Sequence, residues 1–504
     1  MASCFSYFGR MDVISFLRDN VFSLYRDAIA LSYSDGELVR LSYAQLGELV
    51  ARGADTEELS QCSGKLFGIY GNNTPQWLLQ CLSIICSGNI AVPMDSENPD
   101  KELLKRCAAI YCDSKVRIRP GLTNTYRQRK TVDYVKAWSR IITEVLQGPI
   151  TGQAVKCVAP CDPSSTALIA TTSGTTGPRK YVEITHENIV SALLFSRRVF
   201  NNTLGPSDST CPIMPTHHVY SLICGLLDPL VFGMELRYGA LSESSVIKRV
   251  GETEPTTIIG VSATANALLK YMASNEGSSG CALPSVRTIV AGGSPLQDKV
   301  DKKAQKLGIG IYCGYGLTEC ASVACCNSRQ HKRVGSVGKI IDTPYCSIEV
   351  NEDSRVVIHG TIVAKGYLGG RRFNNTFVTN DIGYINCGYL YLAGRVDGMI
   401  STENGTKVLP ELVEKRLCSY PEIEDAYVYQ TLDSKTNRYV LAAKIVLSSD
   451  TVVEAQTRHL VSLVNARLPA DERIVRFDVV APSDLPSGLL GKRIRAVPHP
   501  LSGA

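Results

Sequence analysis

A chain of 504 residues is too long for one compact core and implies roughly two to four structural units. With 20% charged and 44% apolar residues, and no Pro/Gly/Ser tract or block of like charge, the composition excludes a long disordered arm. The formal charge of +5 is spread without a Lys/Arg cluster, so nucleic acid is not an expected partner.

The N-terminal residues Met1-Ala2-Ser3-Cys4-Phe5 lack a basic segment followed by an apolar core, so no secretory leader is expected and the cytoplasm is the expected location. Up to about residue 160, helical patterns alternate with short apolar strands such as Lys65 to Tyr70 and Ile90 to Pro93, the texture of an α/β layer. The stretch Trp77 to Val92 is the most membrane-like, but Gln80, Ser83, Ser87, Gly88 and Asn89 interrupt it and it is too short to span a bilayer. It predicts a buried helix followed by a strand, and no transmembrane segment is expected. Between about 165 and 345 the α/β pattern repeats, with β-rich runs at Thr166 to Ala170, Thr257 to Val261 and Thr288 to Ala291. Each ends in a Gly/Ser/Thr-rich loop, and loops at strand ends are where α/β folds hold ligands. From about 345 to 394 the runs shorten, as at Ser354 to His359 and Tyr389 to Ala393, which predicts a small β-barrel or ribbon. After Arg395 a charged, mixed α/β stretch of roughly a hundred residues is long enough for a small separate domain. The 18 cysteines are scattered and several sit in apolar runs, which predicts reduced, buried thiols. The pairs Cys107/Cys112, Cys157/Cys161 and Cys325/Cys326 lack the C-x-x-C spacing of a structural zinc site.

Chemistry concentrates first in Thr171-Thr172-Ser173-Gly174-Thr175-Thr176-Gly177-Pro178-Arg179-Lys180, directly after an apolar strand. Glycines at 174 and 177 let backbone N–H groups approach phosphate oxygens, the Ser/Thr hydroxyls add donors, and Lys180 adds a cation. The Walker spacing is absent, which argues against a P-loop NTPase. Taken alone, the segment also fits a Ser/Thr/Gly linker. Further along stand Gly314-Tyr315-Gly316-Leu317-Thr318-Glu319, then Thr379-Asn380-Asp381-Ile382-Gly383, then Gly394-Arg395-Val396-Asp397, and finally Leu485-Pro486-Ser487-Gly488-Leu489-Leu490-Gly491-Lys492-Arg493-Ile494-Arg495. A flat aromatic suits a purine face, and a hard carboxylate oxygen suits Mg²⁺.

Together, from about residue 40 to 496, these segments resemble the signatures of the adenylate-forming enzymes, the family of acyl-CoA synthetases, firefly luciferase and peptide-synthetase adenylation domains. The resemblance implies that Thr172, Ser173, Gly174, Thr175, Thr176, Gly177 and Lys180 hold ATP phosphates. Gly314, Tyr315 and Gly316 would take the adenine, with Gly293 and Ser294 lining its pocket and Gly335-Ser336-Val337-Gly338 in the loop that follows. Thr318 would meet the α-phosphate, Glu319 would hold Mg²⁺, and Asp381 and Arg395 would bind the ribose side. Lys492 would bridge substrate carboxylate and α-phosphate, a mobile cation well placed to stabilise charge as oxygen attacks phosphorus. The implied fold is α/β, with a large N-terminal domain, 1–396, of two α/β sheet subdomains plus a small β-barrel. A small α+β C-terminal domain, 397–504, would follow as a mobile lid, with Asp397 as hinge.

The implied reaction joins a carboxylic acid to ATP, releases pyrophosphate, and passes the acyl group to CoA or, alternatively, to a separate carrier protein. Pro215-Thr216-His217-His218-Val219-Tyr220 falls where the family begins its acyl pocket, and His218 resembles a pocket residue. Amino-acid-activating relatives place an Asp nearby, because a buried ammonium needs a counter-charge. None stands in this stretch, which favours a fatty or aryl acid. The chain departs from the family pattern at Arg179, Tyr181, Asn380, Gly488 and Leu490, and in Ile400 to Glu414, with an extra residue before Gly405 and Leu412 in place of Glu. Those departures motivate a second expectation, a paralogue that binds nucleotide or acyl ligand without turnover.

Overall fold

The computed structural model describes residues 11–95, 100–113, 130–148, 158–172, 179–239, 245–275, 283–294, 296–402, 406–433, 438–449 and 452–486. Its first sheet has seven strands. The parallel centre is Leu66–Tyr70 between Ile90–Met94 and Ala109–Cys112, where apolar runs are buried on both faces. Helix Pro75–Cys86 connects the first two of these strands and is buried along its whole length. Thr74 caps it by accepting from the Trp77 N–H, and Pro75 fits its first position, where no N–H partner is needed. The predicted buried helix and following strand are both there.

Strand Thr166–Thr171 joins this sheet beside Ile90–Met94 and pairs antiparallel with Tyr181–Thr185. The loop predicted to hold phosphate is thus the connection of a hairpin, closed at its base by the Thr172 N–H donating to the Lys180 carbonyl at 3.0 Å. Helix His186–Val199 leaves the second strand through a capping box between Thr185 and Asn188.

The second sheet has a parallel run built from Thr257–Val261, Thr288–Gly292 and Gly310–Tyr315 in neighbouring positions. The predicted β unit is present as antiparallel strands Ser347–Val350, Arg355–His359, Thr376–Asn386 and Tyr389–Arg395. Its hydrogen bonding continues into the second sheet through the short strands Cys325–Cys326 and Gly338–Lys339. Beyond residue 400, strands Ile423–Asp433, Arg438–Leu447 and Ile474–Val479 form a three-stranded sheet with helices Pro410–Leu417 and Glu454–Asn465. This part has its own core, in which Val413, Ile423, Val428, Ile445 and Leu460 are buried.

No disulfide links the described cysteines, most of which are buried. Among the described residues no cluster of His, Cys, Asp and Glu is arranged to hold a metal, and no helix is long and apolar enough to cross a membrane.

Candidate active site

Strand Gly310–Tyr315 delivers the central motif and then reverses sharply. Gly316 lies against the Ser322 carbonyl, on which a Cβ would fall, and Ala321 and Ser322 take positive φ values of 48° and 100°. The Ala324 N–H returns to the Tyr315 carbonyl at 2.9 Å, so the chain folds back on itself and sets Thr318 and Glu319 on a short turn. Tyr315 is 7% exposed, and its hydroxyl donates to Asp381 Oδ2 at 2.7 Å.

Asp381 and Arg395 are direct partners on neighbouring antiparallel strands, which gives their sequence spacing a structural cause. Arg395 Nη1 donates to Asp381 Oδ1 at 2.9 Å, while its Nε and Nη2 grip Asp397 at 2.8 and 2.9 Å. Burial works against the Arg395 charge, but the bonds to Asp397 and the charge of Asp381 outweigh it and raise its pKa. Burial likewise disfavours the charge on Asp397, and Arg395 overcomes it, so that carboxyl is held below its ordinary value. Burial, reinforced by Asp381, pushes the Tyr315 hydroxyl well up and keeps it a donor.

A second cluster joins the hairpin to the Thr318 turn. The Tyr367 hydroxyl donates to Glu319 Oε1 at 2.8 Å, and Lys180 Nζ sits 4.9 Å from the centre of the same ring. Tyr367 therefore bridges the expected phosphate cation and the expected Mg²⁺ carboxylate. Sequence reasoning missed it, although an aromatic after Lys365-Gly366 offered a weak signal.

Thr171, His218, Gly293, Gly314, Tyr315, Gly316 and Thr318 line one cavity at the ends of these strands. Tyr220 also lines it and donates to the Gly260 carbonyl at 3.0 Å, with its ring so close to Gly292 that a Cβ there would meet it at 2.8 Å. The remaining wall is largely apolar, including Phe200, Leu204, Ile259 and Val290. Ser294 contributes its carbonyl to Ser262 Oγ at 2.8 Å, and Thr172 stands at the hairpin base. Ser173, Gly174, Thr175, Thr176 and Gly177, together with Gly405 and the closing segment bearing Gly488, Leu490 and Lys492, lie outside the described residues.

Three departures from the family pattern have partners. The Tyr181 hydroxyl donates to Asp100, which caps helix Lys101–Arg106, and Arg179 adds a favourable charge to the same carboxylate. Burial disfavours the Asp100 charge, and these partners outweigh it and lower its pKa. Asn380 accepts from Arg355 Nη2 at 2.9 Å and also bonds Asp397.

An α/β fold in which a buried tyrosine and a threonine line one cavity, with a carboxylate–arginine pair bonded to that tyrosine and a second carboxylate joined to a lysine through Tyr367, defines a nucleotide-binding protein of the adenylate-forming kind. The family model of the AMP-binding enzymes matches residues 19–368, and the chain belongs to that family. It is 25% identical to the oxalate–CoA ligase of Arabidopsis thaliana, over 96% of this chain and 98% of that protein. The o-succinylbenzoate CoA synthetase of Bacillus subtilis, solved with its acyl-adenylate intermediate, has a TM-score of 0.72 at 22% identity, over 96% of this chain and 97% of the other. The same synthetase has been solved with ATP and a magnesium ion. An anthranilate CoA ligase in complex with anthranoyl-AMP superposes with a TM-score of 0.77 at 18% identity, over 96% of both chains.

Proposed function

We propose that the protein is an AMP-forming acid–CoA ligase that activates a carboxylic acid with an apolar body, aryl or fatty. The observation that carries this reading is that Tyr315 and Thr318 line one cavity, with the Asp381–Arg395 pair bonded to the Tyr315 hydroxyl and the Lys180–Tyr367–Glu319 cluster adjoining Thr318 in the chain. An acid carboxylate oxygen attacks the α-phosphorus of ATP, and the bond to pyrophosphate breaks. The CoA thiol then attacks the acyl carbon, AMP leaves, and the thiol proton passes to solvent. Tyr315 presents a ring fixed by its hydroxyl, and Asp381 accepts from the ribose. Thr318 and Lys180 donate to phosphate oxygens, with Lys492 as the mobile cation of the first step. Glu319 fits a hard divalent ion, because its carboxylate stands next to cavity-lining Thr318 and is oriented by Tyr367. Mg²⁺ held there would neutralise phosphate charge. The apolar part of the wall, with Phe200, Leu204 and Ile259, suits the body of an aryl or fatty acid, and His218 lines the same cavity.

In the same reading, residues 1–396 form the binding domain and 397–504 a lid turning about Asp397, since Lys492 cannot stay inserted while a pantetheine arm enters. Carboxylate-dependent ATP–pyrophosphate exchange across short, medium, long-chain and aryl acids tests the proposal, with Lys492→Ala as control. Exchange promoted by one acid class and reduced at least about a hundredfold in the variant is the expected result. ATP binding without exchange for any acid would leave a non-catalytic nucleotide-binding protein instead, and transfer to a carrier protein but not to CoA would change the acceptor.

A further inference from the structure

One carboxyl group on the cavity wall has no part in the nucleotide chemistry. Asp228 begins the short helix Asp228–Val231, directly after the π-helical segment Ser221–Leu227, and is 3% exposed. It lines the same cavity as Tyr315 and Thr318. One of its oxygens accepts from Ser196 Oγ at 2.9 Å, across to helix His186–Val199. The other, Oδ1, is buried without a hydrogen-bond partner. The same cavity is lined by Phe200, Leu204 and Cys224, the last of which offers its thiol to the Asp228 carboxyl, and among the described residues no lysine or arginine lines it.

A buried carboxyl whose donors are one hydroxyl and one thiol, the thiol a weak donor, is costly, and such groups are uncommon unless something else completes them. Anchoring Ser196 needs only one oxygen, which an amide would supply equally well. Burial pushes the Asp228 carboxyl up to about 7, with the Ser196 hydroxyl and the Cys224 thiol pulling it down. The site thus holds a group that a donor would readily turn into a carboxylate, on the wall where the acid body would lie.

We propose that Asp228 selects, among the carboxylic acids the pocket admits, those whose body carries an amino or hydroxyl group donating to Oδ1. This rests on the acid-activating reading above and narrows it. It also reverses one expectation: the stretch Pro215 to Tyr220 holds no carboxylate, but the fold brings one to the pocket from eight residues beyond Tyr220. The physical basis is asymmetric. A pocket built to pair a donor rejects the analogue that lacks it far more strongly than an apolar pocket rejects a change of one methyl group.

The test is ATP–pyrophosphate exchange with two matched sets, 4-aminobenzoate, 4-hydroxybenzoate and 4-methylbenzoate, then 6-aminohexanoate, 6-hydroxyhexanoate and heptanoate. In the set whose shape fits, the wild-type kcat/KM for an amino or hydroxyl acid should exceed that for the methyl-terminated acid at least about tenfold. Asp228→Leu should invert that order. Asp228→Asn should separate the two donors, keeping a preference for hydroxyl and losing one for an ammonium. Equal or greater wild-type activity with the methyl-terminated acids overturns the proposal without any variant, so a variant that fails to fold leaves it decidable. An unchanged ratio in a folded Asp228→Leu protein also overturns it. Exchange with apolar acids alone removes only the role of Asp228, whereas no exchange with these or any wider panel of acids takes the acid-activating reading down with it.

Discussion

Replacing Asp381 with Asn probes the ribose side of the site without changing its volume. In the wild-type protein one carboxylate oxygen accepts from Arg395 and the other from the Tyr315 hydroxyl. Each oxygen has two lone pairs, so both retain one acceptor position for a ribose hydroxyl. An amide has a single oxygen, and its NH₂ must then face either Arg395, which can only donate, or the Tyr315 hydroxyl, which would have to turn round and accept. The Arg395 side chain is 45% exposed, so solvent screens much of that loss. Tyr315, 7% exposed, gains no help from solvent and must reverse its hydroxyl to stay paired. For the ligand, two charge-assisted bonds become at best one neutral bond, a loss of about 1.5–3 kcal/mol, or roughly 10- to 150-fold in Kd for ATP. Calorimetric titration with ATP and with 2′-deoxy-ATP checks this. The wild-type protein should discriminate between the two nucleotides and Asp381→Asn should discriminate much less, while Tyr315→Phe should keep the discrimination. An ATP affinity within twofold of wild type, or an identical nucleotide ratio in both proteins, would refute the assignment of Asp381 to the ribose.

Gly316→Ala should abolish ATP binding and lower stability by roughly 2 kcal/mol or more, because the added methyl falls on the Ser322 carbonyl and the turn carrying Thr318 must open; a variant that binds ATP normally would show that the turn adapts. Burial pushes the fully buried His186 down to about 4, against the opposing charges of Asp12 and Asp162, while the unfolded chain titrates near 6.5. Between those values the unfolded state binds the proton and the folded state does not, so this stability is present above about 6.5 and lost as pH falls towards 4. Urea midpoints at pH 7.5 and pH 5 should show wild type losing about 2 kcal/mol more than His186→Asn, and parallel losses would remove His186 as the cause. Asp397→Pro should spare the exchange reaction and slow thioester formation, with Asp397→Asn separating the backbone effect from loss of the Arg395 pair; equal loss in both steps would sink the hinge.

The parts legible in the sequence are those that act locally. The buried helix showed in the apolar run that starts near Trp77, and the strand leading into the phosphate loop showed in the apolar residues before Thr171, though not its hairpin partner Tyr181–Thr185. Asp381 and Arg395 were recognisable as motif residues, but that they are cross-strand partners depends on a bulged register that spacing alone does not specify. Tyr367 and Asp228 were not legible. Each acts through a group distant in the chain, Tyr367 through Glu319 and Lys180, Asp228 through Ser196, and neither sits in a repeating pattern. Residue type alone does not distinguish them from an ordinary core tyrosine or a helix-starting aspartate.

The departures from the family pattern bear on whether the site is intact. A site released from its chemistry has no reason to retain buried charge, since a buried ion pair contributes little to stability compared with apolar residues of the same volume. Here Asp381 is 6% exposed and engaged on both oxygens, and Arg395 is tied to two carboxylates. The unusual residues extend this arrangement rather than erode it. Asn380 links Arg355 to Asp397, and Tyr181 with Arg179 secures Asp100 at the edge of the hairpin. Packing alone does not require so many bonded polar groups beside the cavity-lining Tyr315 and at the base of the hairpin. A nucleotide carrying phosphate and ribose oxygens does, which is why the substitutions are better explained as alternative supports for a working site than as its decay.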